Sequence, residues 1–181
     1  MAERSFIDTN LLIYAEASDA TEKQRTALSI LKQLYDDANG VLSTQVLQEY
    51  CNVALKKLGL SAQHVRAQLD LYEQFEMVQV TPVIIRASLD LHQTRSLAFY
   101  DAIILASAQT SGCVVLLSED MNAGEVAAGV RIVYTREGHR PDLSDCPPAK
   151  LARSRAAGAE IGSSGPLGRL PGIQLRRRRS R

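Results

Sequence analysis

Residues 5–10 read SFIDTN, and the fold turns on how this stretch is taken. Phe6 and Ile7 end a short apolar run, yet Asp8, Thr9 and Asn10 intervene before LLIYA (11–15) resumes the hydrophobic text. An ionised side chain between two segments that both seek the interior has two explanations. Asp, Thr and Asn are favoured at helix N-caps, where a side-chain oxygen accepts an orphaned backbone N–H; Thr9 or Asn10 then caps a short helix beginning at LLIYA. The other explanation is a site, with Asp8 at the end of a buried strand.

Outward from SFIDTN, apolar periodicity alternates between strand and helix. RSFI (4–7) is a short buried strand. A helix near 20–38 follows, opened by Asp19 with Glu22 three residues on, a variant of the capping box, and closed by Gly40. GVLS (40–43) is a second strand, and Ser43 or Thr44 caps a helix running to Leu58, with Gly59 after it. Ser61 opens a further helix, which stops before the strand MVQV (77–80). Thr81-Pro82 starts a helix to about residue 96, since proline at the first helical position loses no needed N–H. FYDAIILASAQTSG (99–112) is the next helix, VVLLS (114–118) the fourth strand and VRIVY (130–134) the fifth. Strands separated by helices require parallel crossovers, hence a three-layer α/β domain.

Composition narrows the class. The start MAERSF has no apolar h-region, so no secretory signal is read, and no apolar run approaches the ~18 residues of a membrane span. Cys51, Cys113 and Cys146 are odd in number and scattered, which argues for reduced thiols and a cytoplasmic protein, against a disulfide framework or zinc site. The formal charge of +1 hides an asymmetry: residues 1–146 carry 12 Lys or Arg against 19 Asp or Glu, and 147–181 carry 9 against 1. The expected organisation is an acidic domain over 1–138 and a basic, Gly/Pro/Ser/Arg-rich tail over 139–181, too poor in apolar periodicity to pack.

In a parallel sheet, ligands bind beyond the carboxyl ends of the strands, near the topological switch point. Asp8 follows the first strand and Asp120 the fourth. Asp101 opens a helix that is apolar or small almost all round, which marks it as buried, and a carboxylate there is costly without compensation. Glu49 lies in the second turn of the helix after the second strand. Singly, each has an ordinary explanation as a cap, turn residue or solvated flank. Together they belong at one edge of the sheet, where carboxylates raise one another's pKa unless cations are bound. Mg²⁺ and Mn²⁺ take such oxygens. His64, His92 and His139 read as isolated surface residues.

The blocks FIDTNLLIYA, VLQEYCNVA, FYDAIILASAQTSGC and VLLSEDMNAG, in this order, resemble the PIN-domain family, most closely its VapC-like bacterial branch, over roughly residues 5–134. The resemblance implies a PIN-like nuclease fold with a central parallel five-stranded sheet of order 3-2-1-4-5. It carries the family's acidic positions onto Asp8, Glu49, Asp101 and Asp120, and its small polar positions onto Asn10 and Ser118. Of the two acids in SED, family spacing favours Asp120 over Glu119.

The expected activity is that of a Mg²⁺- or Mn²⁺-dependent endoribonuclease. Asp8, Asp101 and Asp120 are then metal ligands, Glu49 binds directly or through water, and Asn10 and Ser118 orient carboxylates. By resemblance it is the toxin of a type II toxin–antitoxin pair, held by a cognate antitoxin and forming a homodimer. Lys56, Lys57 and the run Arg176–Arg179 are candidate RNA contacts, although paired lysines at a helix C-terminus also complement the dipole and the arginine run reads equally as a site for an acidic partner or as non-functional extension sequence. Rival readings are an inactive PIN-fold RNA-binding or scaffold module, and a housekeeping RNA-processing nuclease without an antitoxin. A phosphatase of the aspartyl-phosphate type needs a second Asp two residues after the first, where this chain has Asn10. No base-stacking aromatic platform is visible in the sequence.

Overall fold

A computed structural model describes residues 3–17, 22–122 and 124–133. The expected tail, the Arg176–Arg179 run, Asp19, His139 and Cys146 lie outside the described residues. In chain order the elements are β1 (Ser5–Ile7), α1 (Thr9–Ala15), α2 (Glu22–Asp36), β2 (Gly40–Ser43), α3 (Thr44–Lys56), α4 (Ala62–Tyr72), β3 (Glu76–Val78), α5 (Pro82–Arg95), α6 (Phe99–Thr110), β4 (Val115–Leu117), β5 (Val126–Ala127) and β6 (Val130–Val133).

The sheet runs β3-β2-β1-β4-β6-β5, with every pair parallel except β5 against β6. The five strands read from the sequence are β1, β2, β3, β4 and β6, in the anticipated order. The sixth, β5, is a two-residue edge strand that was not anticipated. It turns into β6 through Ala128 and Gly129, both at positive φ (52° and 81°). No apolar alternation announces so short a strand. Because β1 has β2 on one side and β4 on the other, the β1–β4 boundary is the switch point of the sheet.

The central strands β1, β2 and β4 are buried along their whole length, as strands covered on both faces must be. Phe6, Ile7, Leu42, Leu116 and Leu117 join Leu12, Leu34, Tyr50, Tyr72 and Leu105 in one core. A smaller cluster of Ile84, Ile103 and Ala106 packs α5 on α6. In α6 every residue from Ala102 to Ala108 is buried, in keeping with its all-round apolar text.

Local chemistry sets most element starts. Ser43, Ser61 and Thr81 are N-caps whose hydroxyls accept from Val46, His64 and Ile84, and Pro82 opens α5. Several boundaries differ from expectation, two of them for a clear physical reason. Gly40 does not close α2: Ala38 takes the left-handed turn (φ 51°), while Gly40 starts β2, where a Cβ would stand 2.7 Å from the Phe75 ring. β3 is Glu76–Val78 instead of 77–80, because the Val80 N–H turns to the Thr44 hydroxyl at 3.2 Å and leaves the ladder. Among the described residues, no helix is long and apolar enough to cross a membrane.

Candidate active site

The parallel register builds the site. Ile7 pairs with Leu117, so the next residues, Asp8 and Ser118, stand side by side just past the ends of β1 and β4. The Asp8 N–H still reaches the Leu117 carbonyl at 3.1 Å, and the Ser118 N–H reaches Val133 at 3.1 Å, which prolongs the ladder by one step. That fixes the backbone beneath both side chains. The Ser118 hydroxyl donates to Asp8 Oδ2 at 2.6 Å, and the Thr9 N–H donates to Oδ1 at 2.6 Å. Asp8 is itself the N-cap of α1, the place expected for Thr9 or Asn10. The strand-end residue is the helix cap because α1 begins with no intervening loop.

Its two neighbours hold two other acids. The Thr9 hydroxyl donates to Glu49 Oε2 at 2.9 Å, tying α1 to the second turn of α3. Asn10 Nδ2 donates to Asp120 Oδ2 at 2.8 Å, and the Asp120 N–H reaches the Ser118 hydroxyl at 3.3 Å. The DTN triplet therefore supplies one acid and two hydrogen-bonded holders for acids from elsewhere in the chain. The holding role of Thr9 is absent from the sequence reading, since its partner lies forty residues away.

Asp101 stands in the first turn of α6, partly buried. No hydrogen bond joins it to the other three among the described residues, yet it feels the charge of two of them. Burial, then Asp120 and Glu49, push its carboxyl above the usual range. Asp8 is affected more strongly. Only 6% exposed, it is pushed by burial up to about 6, with Glu49 and Asp120 adding to the rise and the bonds from Ser118 and Thr9 opposing it. Glu119 points elsewhere: the Tyr14 hydroxyl donates to it, and Lys23 pairs with it at 3.5 Å.

Lys56 and Lys57 lie exposed at the C-terminal end of α3. Of the histidines, His92 is exposed and meets the Leu97 carbonyl at 2.6 Å. His64 is not isolated: its Nε2 lies 2.8 Å from Glu16, whose side chain is only 3% exposed.

Among the described residues, no three His, Cys, Asp or Glu side chains gather closely enough to enclose an ion as they stand. The chemistry of the four acids nevertheless suits a hard divalent cation. Their donors are all carboxylate oxygens, and two of the acids, Asp8 and Asp101, carry pKa values raised in part by the other two, Glu49 and Asp120.

A family model described as PIN domain matches residues 5–129. Among solved structures, a toxin–antitoxin complex from Klebsiella pneumoniae is 26% identical with a TM-score of 0.55, covering 74% of this chain and 98% of its own. VapBC2 from Rickettsia felis, bound to a DNA fragment from its promoter, gives 14% identity and a TM-score of 0.55, with coverages of 72% and 97%. VapC20 from Mycobacterium tuberculosis, a sarcin-ricin loop cleaving toxin, gives 21% and 0.50, with coverages of 62% and 86%. The last two are likenesses of fold.

Proposed function

Because the chain belongs to the PIN-domain family, we propose that it is a Mg²⁺- or Mn²⁺-dependent endoribonuclease and the toxin of a toxin–antitoxin pair. The observation that carries the reading is the hydrogen-bonded set at the switch point. Asp8, Glu49 and Asp120 come from three distant segments and are held there by Ser118, Thr9 and Asn10. A chain with no use for that edge has no physical reason to bring like charges to it.

In this reading Asp8, Asp101 and Asp120 hold the cation, and Glu49 joins them directly or through water. When bound, the ion acidifies water and offsets the charge that develops on the scissile phosphate. The protein's part is orientation. Ser118 and the Thr9 N–H pin both oxygens of Asp8, so its carboxylate plane is set before substrate arrives. Thr9 and Asn10 do the same, one bond each, for Glu49 and Asp120. Such outer contacts are worth about 10–100-fold in comparable sites. In-line attack by water leaves a 5′-phosphate and a 3′-hydroxyl.

RNA is a polyanion approaching an acidic domain, so cations must draw it in. Lys56 and Lys57 lie seven and eight residues past Glu49 on the α3 side, about 10 Å along the helix, within reach of a strand crossing the site. The basic tail over 139–181 adds a second, sequence-independent attraction. The cognate antitoxin and a second copy of the chain are the expected protein partners, with the cytoplasm as the place of action. The toxin–antitoxin complex that covers nearly all of its own length on this chain supports the first partner. Exposed Ile85 and Leu89, one turn apart on α5, support a protein contact.

The test is cleavage of end-labelled single-stranded RNA with Mg²⁺ or Mn²⁺, with and without excess EDTA. The expected products carry 5′-phosphates and vanish under EDTA. Undiminished cleavage in EDTA, or 2′,3′-cyclic phosphate ends, overturns the mechanism.

A further inference from the structure

Beside the acids lies a cavity of about 370 Å³, lined by Gln45, Gln48, Glu49, Asn52 and Tyr100, within the ~300–1,000 Å³ range of small-ligand sites. Gln45, Gln48, Glu49 and Asn52 recur on α3 at the spacing that places side chains on one helix face. The fifth residue comes from α6, next to Asp101. Glu49 belongs to both places: its Oε2 holds the Thr9 hydroxyl, and its side chain also lines the cavity. Whatever fills the cavity therefore lies next to the proposed reaction centre.

The lining has a definite chemistry. It contains three carboxamides, one aromatic ring, one carboxylate and no lysine or arginine. No side chain of the lining carries a positive charge to hold a phosphate. Carboxamides offer a donor and an acceptor each, the pattern that reads the edge of an uncharged base. Tyr100 is 68% exposed despite its ring, and forms a T-shaped pair with Phe99 at 5.9 Å. An exposed ring beside hydrogen-bonding side chains is how unpaired bases are held on RNA-binding proteins.

Gln45 adds an independent sign. It is only 8% exposed, and its Nε2 donates to the Tyr100 carbonyl at 3.2 Å, so its amide orientation is set. Its Oε1 is buried with no donor among the described residues. A buried acceptor left unmet is costly, and a base amino group brought against Gln45 is a fitting donor for it.

We infer that this cavity receives an unpaired nucleobase of the RNA strand beside the scissile phosphate, stacked on Tyr100 and read by Gln48 and Asn52 above Gln45. The inference rests on the nuclease reading for its substrate, but base binding itself needs no cleavage, and the test separates the two. In the full-length Asp8→Asn chain, binding of a fluorescein-labelled RNA hexamer is compared with binding of hexamers carrying one abasic position. The expected result is binding weakened roughly 5- to 160-fold by an abasic position, the range of base–aromatic stacking. Tyr100→Ala should erase that discrimination and Tyr100→Phe keep it, while Gln48→Ala/Asn52→Ala should flatten preference among the four bases.

Cleavage by the wild-type chain is scored in parallel. Discrimination that depends on Tyr100 supports the base site even if no cleavage occurs, in which case the nuclease reading fails alone. Cleavage without Tyr100-dependent discrimination overturns the base site and leaves the nuclease reading standing. If neither is seen, both fall. If Tyr100→Ala changes sedimentation and leaves discrimination intact, the ring is a protein contact and the base site is overturned.

Discussion

Helix α1 has an acid at each end, and the two are treated in opposite ways. Glu16, just past its C-terminus, is buried but well supplied: the Tyr50 hydroxyl donates to it at 2.8 Å and His64 lies at 2.8 Å on its other oxygen. Asp8, at the N-terminus, also accepts two hydrogen bonds, yet the charges that act on it come from Glu49 and Asp120. One carboxylate is satisfied by the fold. The other is held in place by the fold and left among like charges. A buried acid surrounded by donors reads as architecture, whereas a buried acid surrounded by acids reads as a place for a cation.

The comparison breaks most sharply under substitution. Asp8→Asn should lower RNA cleavage by about a thousand-fold or more, since charge stabilisation by a bound cation is worth several kcal/mol. The amide keeps an acceptor for the Thr9 N–H, so circular dichroism should report an intact fold. Glu16→Ala should do the reverse. It strands the Tyr50 hydroxyl in the core and costs about 3 kcal/mol of stability by denaturant unfolding, while cleavage per folded molecule stays near wild type.

The pH dependence of stability sharpens the same contrast. The folded chain holds the Asp8 proton up to about pH 6, against 3.8 for an ordinary aspartate. Between those values the folded state binds more protons than the unfolded one, so stability falls as pH rises through the window. The loss is about 3 kcal/mol. Unfolding of wild type from pH 3.5 to 7.5 in EDTA should show that decline, whereas Asp8→Asn should show a smaller one, left to Asp101, and be the more stable protein above pH 6. A flat difference between the two chains contradicts the burial of an ionisable Asp8.

The Asp8 half of this contrast was legible in the sequence, and the Glu16 half has physical reasons for being hidden. The caps at Ser43, Ser61 and Thr81-Pro82 act within three or four residues, so local text reveals them. The edge placement of Asp8 and Asp120 follows from strand order alone. Contacts made over long separations are different. Nothing near Thr9 announces Glu49, nothing near His64 announces Glu16, and the Tyr100 cavity exists only because α3 and α6 meet at the Gln45 amide. Helix α5 ends without a glycine, Ser96 taking the left-handed conformation (φ 53°). The unread β5 is two residues long and is held by its pairing with β6.

A smaller effect probes the holders in place of the acids. Ser118→Ala removes one of two bonds that orient Asp8, and cleavage should fall about 10–100-fold. The expected signature is a weaker apparent affinity for Mn²⁺ with product ends unchanged. Glu119→Gln is the control, because Glu119 faces Tyr14 and Lys23 instead of the site; its cleavage should stay near wild type.

The measurement that bears most directly on the central claim is calorimetric titration of Mn²⁺ into three full-length chains at pH 7.5: wild type, Asp8→Asn and Glu16→Gln. The account predicts saturable binding to wild type and to Glu16→Gln, and its loss in Asp8→Asn. Binding that survives Asp8→Asn undiminished, or that disappears with Glu16→Gln instead, contradicts it.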